Sequence, residues 1–227
     1  MKWIEDFQLF LFDLDGLLVN TEVIHHAAYV EMLKKRGFVL DWSYLKYSAA
    51  AHFNDNALKE EIYSKFPALY EMEPNWNILR DEKNKLYIEL LSVSKVNILP
   101  GAEKLLLTLK EKNKKRCIVT NSFKYMSDMI RAKVKVLETI PHWITREDYI
   151  KPKPNPDCYL HAIELYGKKG DRIIGFEDSL RGLQALVQTP AISILICQNL
   201  DPRADLFLKN DVFYFKSLEE INLNAVL

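Results

Sequence analysis

Asp13 and Asp15 stand two residues apart at the end of the apolar run Leu9-Phe10-Leu11-Phe12, with Gly16 directly after them. Alternate residues on a strand face the same way, so the two carboxylates emerge together where such a strand ends. Two like charges about 4 Å apart repel by roughly 4 kcal/mol at an effective dielectric near 20. A fold keeps such a pair where a cation, a proton or a function offsets the repulsion. Capping a turn is the plainer reading of Asp-x-Asp-Gly, and for this pair alone it is as good as the chemical one.

Three further stretches carry comparable residues. Thr120-Asn121-Ser122 closes a second apolar run, and Lys153 lies in Lys-Pro-Lys-Pro-Asn-Pro-Asp ahead of a helical pattern. Glu177-Asp178-Ser179 follows a third strand-like run and precedes another helix. Singly, Thr120 reads as a strand-end or capping residue, Lys153 as a solvated lysine, and Glu177-Asp178-Ser179 as a helix start favoured by the helix dipole. Open parallel sheets, however, place their sites at the carboxyl ends of strands, which would bring four carboxylates, one lysine and a hydroxyl together. One ammonium against four carboxylates nearly requires a divalent cation. Oxygen ligands favour Mg²⁺, which keeps several waters and typically shares its shell with a phosphate. A phosphoryl group fits the remainder: the cation and Lys153 neutralise its oxygens, while Thr120 and nearby backbone N–H groups donate to it.

The elements that must position these residues are readable from periodicity. A helix from about Thr21 to Arg36, with N-cap chemistry at Asn20-Thr21-Glu22, is stopped by Gly37. Further helices are expected over Trp42–Ala50, Asp55–Ser64 and Asn77–Leu91, in a stretch with no glycine between Gly37 and Gly101. After Pro100-Gly101 the pattern changes. Helix Ala102–Glu111 is followed by strand Arg116–Thr120, a helix from about Tyr125 to Lys133, and a short strand near Trp143-Ile144. Helix Pro156–Tyr166, strand Arg172–Phe176, helix Ser179–Val187 and strand Ala191–Cys197 follow, then strand Val212–Phe215 and a short terminal helix. This alternation predicts an α/β fold with a mostly parallel sheet flanked by helices. The helical block after the first strand is too long for a crossover and reads as an inserted cap, hinged near 16–20 and 94–100.

Bulk properties narrow the function. Of the 227 residues, 31 are basic and 31 acidic, which speaks against a nucleic-acid tract or an anionic membrane partner. No apolar stretch approaches the ~20 residues of a spanning helix, and acidic residues occupy the N-terminal segment where a signal peptide would be apolar. Cys117, Cys158 and Cys197 match no metal or redox spacing and are expected to be reduced in the core. A cytoplasmic protein, monomeric or homodimeric, is the expectation.

Together these stretches resemble the haloacid-dehalogenase-like superfamily of phosphotransferases, in the branch with a helical cap after the first strand. The four motifs are Phe12-Asp13-Leu14-Asp15-Gly16-Leu17-Leu18-Val19, Cys117-Ile118-Val119-Thr120-Asn121-Ser122, Lys153-Pro154-Asn155-Pro156-Asp157-Cys158-Tyr159 and Gly175-Phe176-Glu177-Asp178-Ser179-Leu180-Arg181-Gly182. The nearest likenesses are to phosphoglycolate-phosphatase-like hydrolases and β-phosphoglucomutases. The resemblance implies a Rossmann-like core of residues 1–16 and 98–227 and an all-helical cap of residues 17–97. It also implies a Mg²⁺-dependent phosphatase acting on a small phosphorylated metabolite. Asp13 would be the nucleophile that forms an aspartyl-phosphate, and Asp15 the acid and then the base. Asp13, the Asp15 carbonyl, Asp178 and Glu177 would hold the metal, Glu177 directly or through water. Thr120 and Lys153 would hold the phosphoryl oxygens, and Asn121 would orient the phosphate or cap the next helix.

The match is looser in places. Asn20 stands where the family commonly has Asp, and Pro190 replaces the usual glycine after the last motif's helix. The cap lacks the family's glycine-containing specificity loop. Lys46 is the only basic candidate near it, and His25 falls where the mutases have a gating histidine; both are candidate substrate contacts. The alternatives to a phosphatase are a sugar phosphomutase, a phosphoacceptor signalling domain, which would lack the helical insertion, and a non-catalytic binding module.

Overall fold

The computed structural model describes residues 1–53, 56–206 and 212–223. These fall into two compact units, Met1–Asn20 with Asn97–Leu227, and Thr21–Val96. The second unit is helical: α1 (Glu22–Lys35), α2 (Tyr44–Ala51), α3 (Ala57–Lys65), α4 (Pro67–Met72) and α5 (Trp76–Val93). Helix α1 packs along α5, with Ile24, Ala28, Met32 and Leu33 of the former and Leu79, Leu86 and Leu91 of the latter buried. Arg36 closes this pair through a bidentate bond to Glu82, at 2.8 Å and 2.6 Å. Gly37, at φ +86°, takes the left-handed turn that ends α1. Asp55, the expected start of the third helix, lies outside the described residues.

Two local expectations are corrected here. Asn20 does not cap α1: its Oδ1 accepts from the Asn97 backbone N–H at 2.8 Å, and its own N–H donates to the Asn97 carbonyl at 3.1 Å. Thr21 occupies the N-cap position, with no side-chain capping bond to the first turn of α1. Helix α4 was not expected, because its six residues bury only Leu69 and so carry no periodic apolar signal.

The first unit is built on six strands: β1 (Leu9–Phe12), β2 (Lys115–Val119), β3 (His142–Ile144), β4 (Ile173–Glu177), β5 (Ile192–Ile196) and β6 (Val212–Phe215). All pair in parallel, in the order β3-β2-β1-β4-β5-β6. Helices α6 (Ala102–Glu111), α7 (Lys124–Lys133), α8 (Asp157–Tyr166) and α9 (Leu180–Leu186) connect them. The six parallel strands and the helical insertion between β1 and β2 are those expected from the alternation.

Continuous apolar runs form the inner strands because both faces are covered. One face of β1 buries Leu9 and Leu11 with Cys117, Val119, Cys158, Tyr159 and Leu186. Its other face carries Phe10 and Phe12, with Phe12 stacked on Phe176 at 4.8 Å between centroids and Trp3 packed 6.2 Å from Phe10. Each such side chain contributes about 1.5–3 kcal/mol when fully buried. Phe12 is level with both Ile118 and Phe176, so the chain leaves β1, β2 and β4 along one common edge. Among the described residues, no helix is long and apolar enough to cross a membrane.

Candidate active site

That common edge gathers the acidic motif residues. Asp13 follows β1 directly, and its backbone N–H donates to the Phe176 carbonyl at 3.0 Å, fastening it to β4. Glu177 is the last residue of β4 and Asp178 comes next. One carboxylate oxygen from each of Asp13, Glu177 and Asp178 lies within 4.8 Å of the other two.

Lys153 enters this cluster from the segment ahead of α8. Its Nζ donates to Asp13 Oδ1 at 2.5 Å and to the Val119 carbonyl at 2.8 Å, and lies 2.6 Å from Glu177 Oε1. The Tyr159 hydroxyl donates to the same Glu177 oxygen, and the Lys153 ammonium lies 4.9 Å from the Tyr159 ring centroid. Glu177 Oε2 is buried and has no hydrogen-bond partner among the described residues. Gly182, on α9, leaves the room this oxygen occupies, since a Cβ there would stand 1.9 Å from it.

Electrostatics follow from burial and from three carboxylates facing one ammonium. Burial drives the Asp13 carboxyl well above the usual range; Lys153 pulls it down, while Glu177, Asp178 and Asp15 push it further up. Burial opposes the charge on Lys153, but Asp13 and Glu177 outweigh it and hold the ammonium protonated. Burial, with the Glu177 charge beside it, likewise keeps the Tyr159 hydroxyl protonated, so it serves as a donor. A divalent cation would relieve the excess negative charge. The buried, unpartnered Glu177 oxygen beside two more carboxylates is a hard oxygen donor set that fits one.

Asp15 is held on a neighbouring network. Its Oδ2 accepts from Ser122 Oγ at 2.7 Å and lies 3.4 Å from Thr120 Oγ1, while the Ser122 N–H donates to Thr120 Oγ1 at 3.0 Å. Asn121 serves the loop that carries Lys153: its Oδ1 accepts from the Lys153 N–H at 3.2 Å and from the Tyr149 hydroxyl at 2.7 Å. Ser179 caps α9 by accepting from the Gly182 N–H at 3.0 Å.

Asp13, Asp15, Thr120, Asn121, Lys153, Glu177 and Asp178 thus all come to one strand edge. The two cap candidates belong to the helical unit and are engaged within it. His25 Nδ1 lies 2.6 Å from the buried Lys83 Nζ, and its ring stacks on Tyr87 at 3.9 Å. Lys46 pairs with Glu61 and lies 5.3 Å over the Trp42 ring. Sequence reading passed over Ser122, Tyr159 and Gly182 as functional residues. All three lie inside the motifs, and that position was the available signal.

Comparison with known proteins agrees with this geometry. Residues 7–188 match the family model described as haloacid dehalogenase-like hydrolase. The chain is similar to Protein CbbY of Rhodobacter capsulatus, 27% identical over 206 residues, covering 88% of this chain and 89% of that protein. It is 30% identical over 209 residues to 2-deoxyglucose-6-phosphate phosphatase 1 of Saccharomyces cerevisiae, covering 85% and 81%. In fold it resembles the crystal structure of CbbY from Rhodobacter sphaeroides in complex with phosphate, with a TM-score of 0.73, 20% identity and coverage of 94% and 96%. The match over residues 7–188 and the 30% identity to the yeast phosphatase place the chain in the haloacid-dehalogenase-like hydrolase family, and the helical insertion after β1 puts it in the helical-cap branch.

Proposed function

We propose that this protein is a Mg²⁺-dependent phosphatase that hydrolyses a small phosphorylated metabolite through an aspartyl-phosphate. The observation that carries the reading is the buried cluster in which Lys153 Nζ reaches Asp13 Oδ1 at 2.5 Å beside the Glu177 and Asp178 carboxylates. It is supported by family membership and by relatives named as sugar-phosphate phosphatases, one of them acting on 2-deoxyglucose 6-phosphate.

Asp13, Glu177 and Asp178, with the Asp15 carbonyl, would hold the cation. Once bound, the cation offsets the clustered carboxylates and draws charge from the phosphoryl oxygens, the main requirement of phosphoryl transfer. Lys153 and the Thr120 hydroxyl hold the remaining phosphoryl oxygens, and Asn121 fixes the backbone from which Lys153 extends. An Asp13 carboxylate oxygen attacks phosphorus, forming the new O–P bond as the ester O–P bond breaks. Asp15 gives a proton to the departing oxygen, then takes one from the water that hydrolyses the aspartyl-phosphate, so a single group serves as acid and base. The helical unit, residues 17–97 in the sequence reading, would act as the cap that selects substrate, with His25 and Lys46 as its candidate contacts.

A phosphate-release screen over sugar phosphates, phosphoglycolate and nucleotides tests this. Release should require Mg²⁺, stop with a chelator and vanish in Asp13→Asn. Equal release by wild type and Asp13→Asn would sink the covalent route. A bisphosphate requirement with no net phosphate liberated would make the enzyme a mutase.

A further inference from the structure

The roles assigned above leave the bond between Ser122 and Asp15 unused. Ser122 Oγ donates to Asp15 Oδ2 at 2.7 Å, while the Ser122 backbone N–H donates to Thr120 Oγ1 at 3.0 Å. The Thr120 hydroxyl reaches the same Asp15 oxygen only at 3.4 Å. Ser122 therefore touches both the proton-transfer group and the phosphoryl-holding hydroxyl.

These two contacts differ in what they can do during the reaction. A hydroxyl has one proton to donate. When Thr120 gives its proton to a phosphoryl oxygen, its long contact to Asp15 is the one that yields. The short Ser122 bond then still holds the Asp15 carboxyl. With Ser122 Oγ donating to Oδ2, the proton of the acid is assigned to Oδ1.

We propose that Ser122 is a positioning residue: by holding Asp15 Oδ2 it presents Oδ1–H to the departing ester oxygen. As the ester O–P bond breaks, its electron pair stays on oxygen. That oxygen takes the Oδ1 proton, and Asp15 is left as a carboxylate still accepting from Ser122. The inference rests on the acid role given to Asp15 above.

The test is the dependence of kcat/KM on the leaving group, since kcat/KM reports the step that forms the aspartyl-phosphate. p-Nitrophenyl phosphate expels a stable phenolate that needs little proton assistance; benzyl phosphate expels an alkoxide that needs it. Ser122→Ala should lose about 10-fold or more on benzyl phosphate, within the span of a positioned acid, and about 3-fold or less on p-nitrophenyl phosphate. Ser122→Cys, similar in volume but a weak donor, should show the same split and stands in if the alanine variant does not fold. Equal losses on both substrates would make Ser122 a phosphate-binding or packing residue and overturn the proposal, as would no loss on either. Asp15→Asn tells the two readings apart. If it too loses equally on both substrates, the acid role of Asp15 fails; if it discriminates while the Ser122 variants do not, only the positioning proposal fails.

Discussion

Lys153 Nζ meets Asp13 Oδ1 at 2.5 Å although 140 residues of chain separate them, and both side chains are almost fully buried. The contact joins the edge of β1 to the segment ahead of α8, and the same ammonium holds Glu177 and the Val119 carbonyl. A single cation thus ties three strands at the point where the carboxylates accumulate. Such a pair contributes little net stability while intact, but removing one partner strands the other charge.

Lys153→Met should therefore cost twice. Loss of one partner of a buried pair destabilises by about 3–5 kcal/mol, and loss of a donor to a developing oxyanion lowers kcat by about 10²–10³-fold. Added Mg²⁺ should restore part of the stability and little of the rate. Thermal unfolding with and without Mg²⁺, beside phosphate release, checks both; a stable variant with wild-type turnover would contradict the assignment.

Gly182→Ala places a methyl where Glu177 Oε2 now lies, at 1.9 Å from the ideal Cβ position. The carboxylate must turn away or α9 must shift. Overpacking of this kind costs about 1–3 kcal/mol, and displaced support of a metal site weakens metal affinity by about 10–100-fold. Mg²⁺ titration followed by thermal shift should show the weaker half-saturation. Unchanged Mg²⁺ dependence would remove Glu177 from the cation site.

The helical unit should carry an acid-labile contact of its own. Glu22 Oε2 lies 3.2 Å from His52 Nε2. Burial raises the Glu22 carboxyl, but the His52 bond and the nearby His25 and Lys83 charges outweigh it and leave it depressed. A depressed carboxyl adds stability that is present above the unfolded value near 4.3. That stability is lost as pH falls through the lower folded value. Glu22→Gln should forfeit about 1.5–3 kcal/mol at pH 7. Its stability should also fall less steeply than wild type between about pH 5 and pH 3. Parallel pH–stability curves for the two proteins would argue against the pair.

Thiol chemistry should be sluggish in the native state. Burial pushes Cys158 and Cys197 up to about 12 and raises Cys117 as well, and the thiolate is the reactive form. All three cysteines should react with an aromatic disulfide reagent in denaturant, and none rapidly without it. A fast native thiol would show that one of them is accessible and ionised.

The strands and most helices were legible because burial on two faces writes continuous apolar runs, as in Leu9–Phe12, and burial on one face writes the helical period. The residues of Pro67–Met72 escaped notice because a helix burying one leucine leaves no such mark. The acidic strand ends were equally legible, since residue type and spacing announce them. The supporting side chains were not. The role of Ser122 comes from a bond to a residue 107 positions away, and that of Tyr159 from one 18 positions away. Asn20, chosen as a cap by type, was recruited instead by Asn97 across the insertion. Local propensity cannot report a partner that only the finished sheet supplies.

The parallel register that sets Phe12 level with Ile118 and Phe176 has a consequence for divergence. The spacing of Asp13 from Thr120 and Glu177 is dictated by ladder hydrogen bonds, which are indifferent to how many residues intervene along the chain. The stretch between β1 and β2 is therefore open to lengthening, replacement or grafting from another source without retuning the reacting groups. With substrate selection assigned to the helical unit as proposed, selectivity and chemistry are free to change on separate clocks.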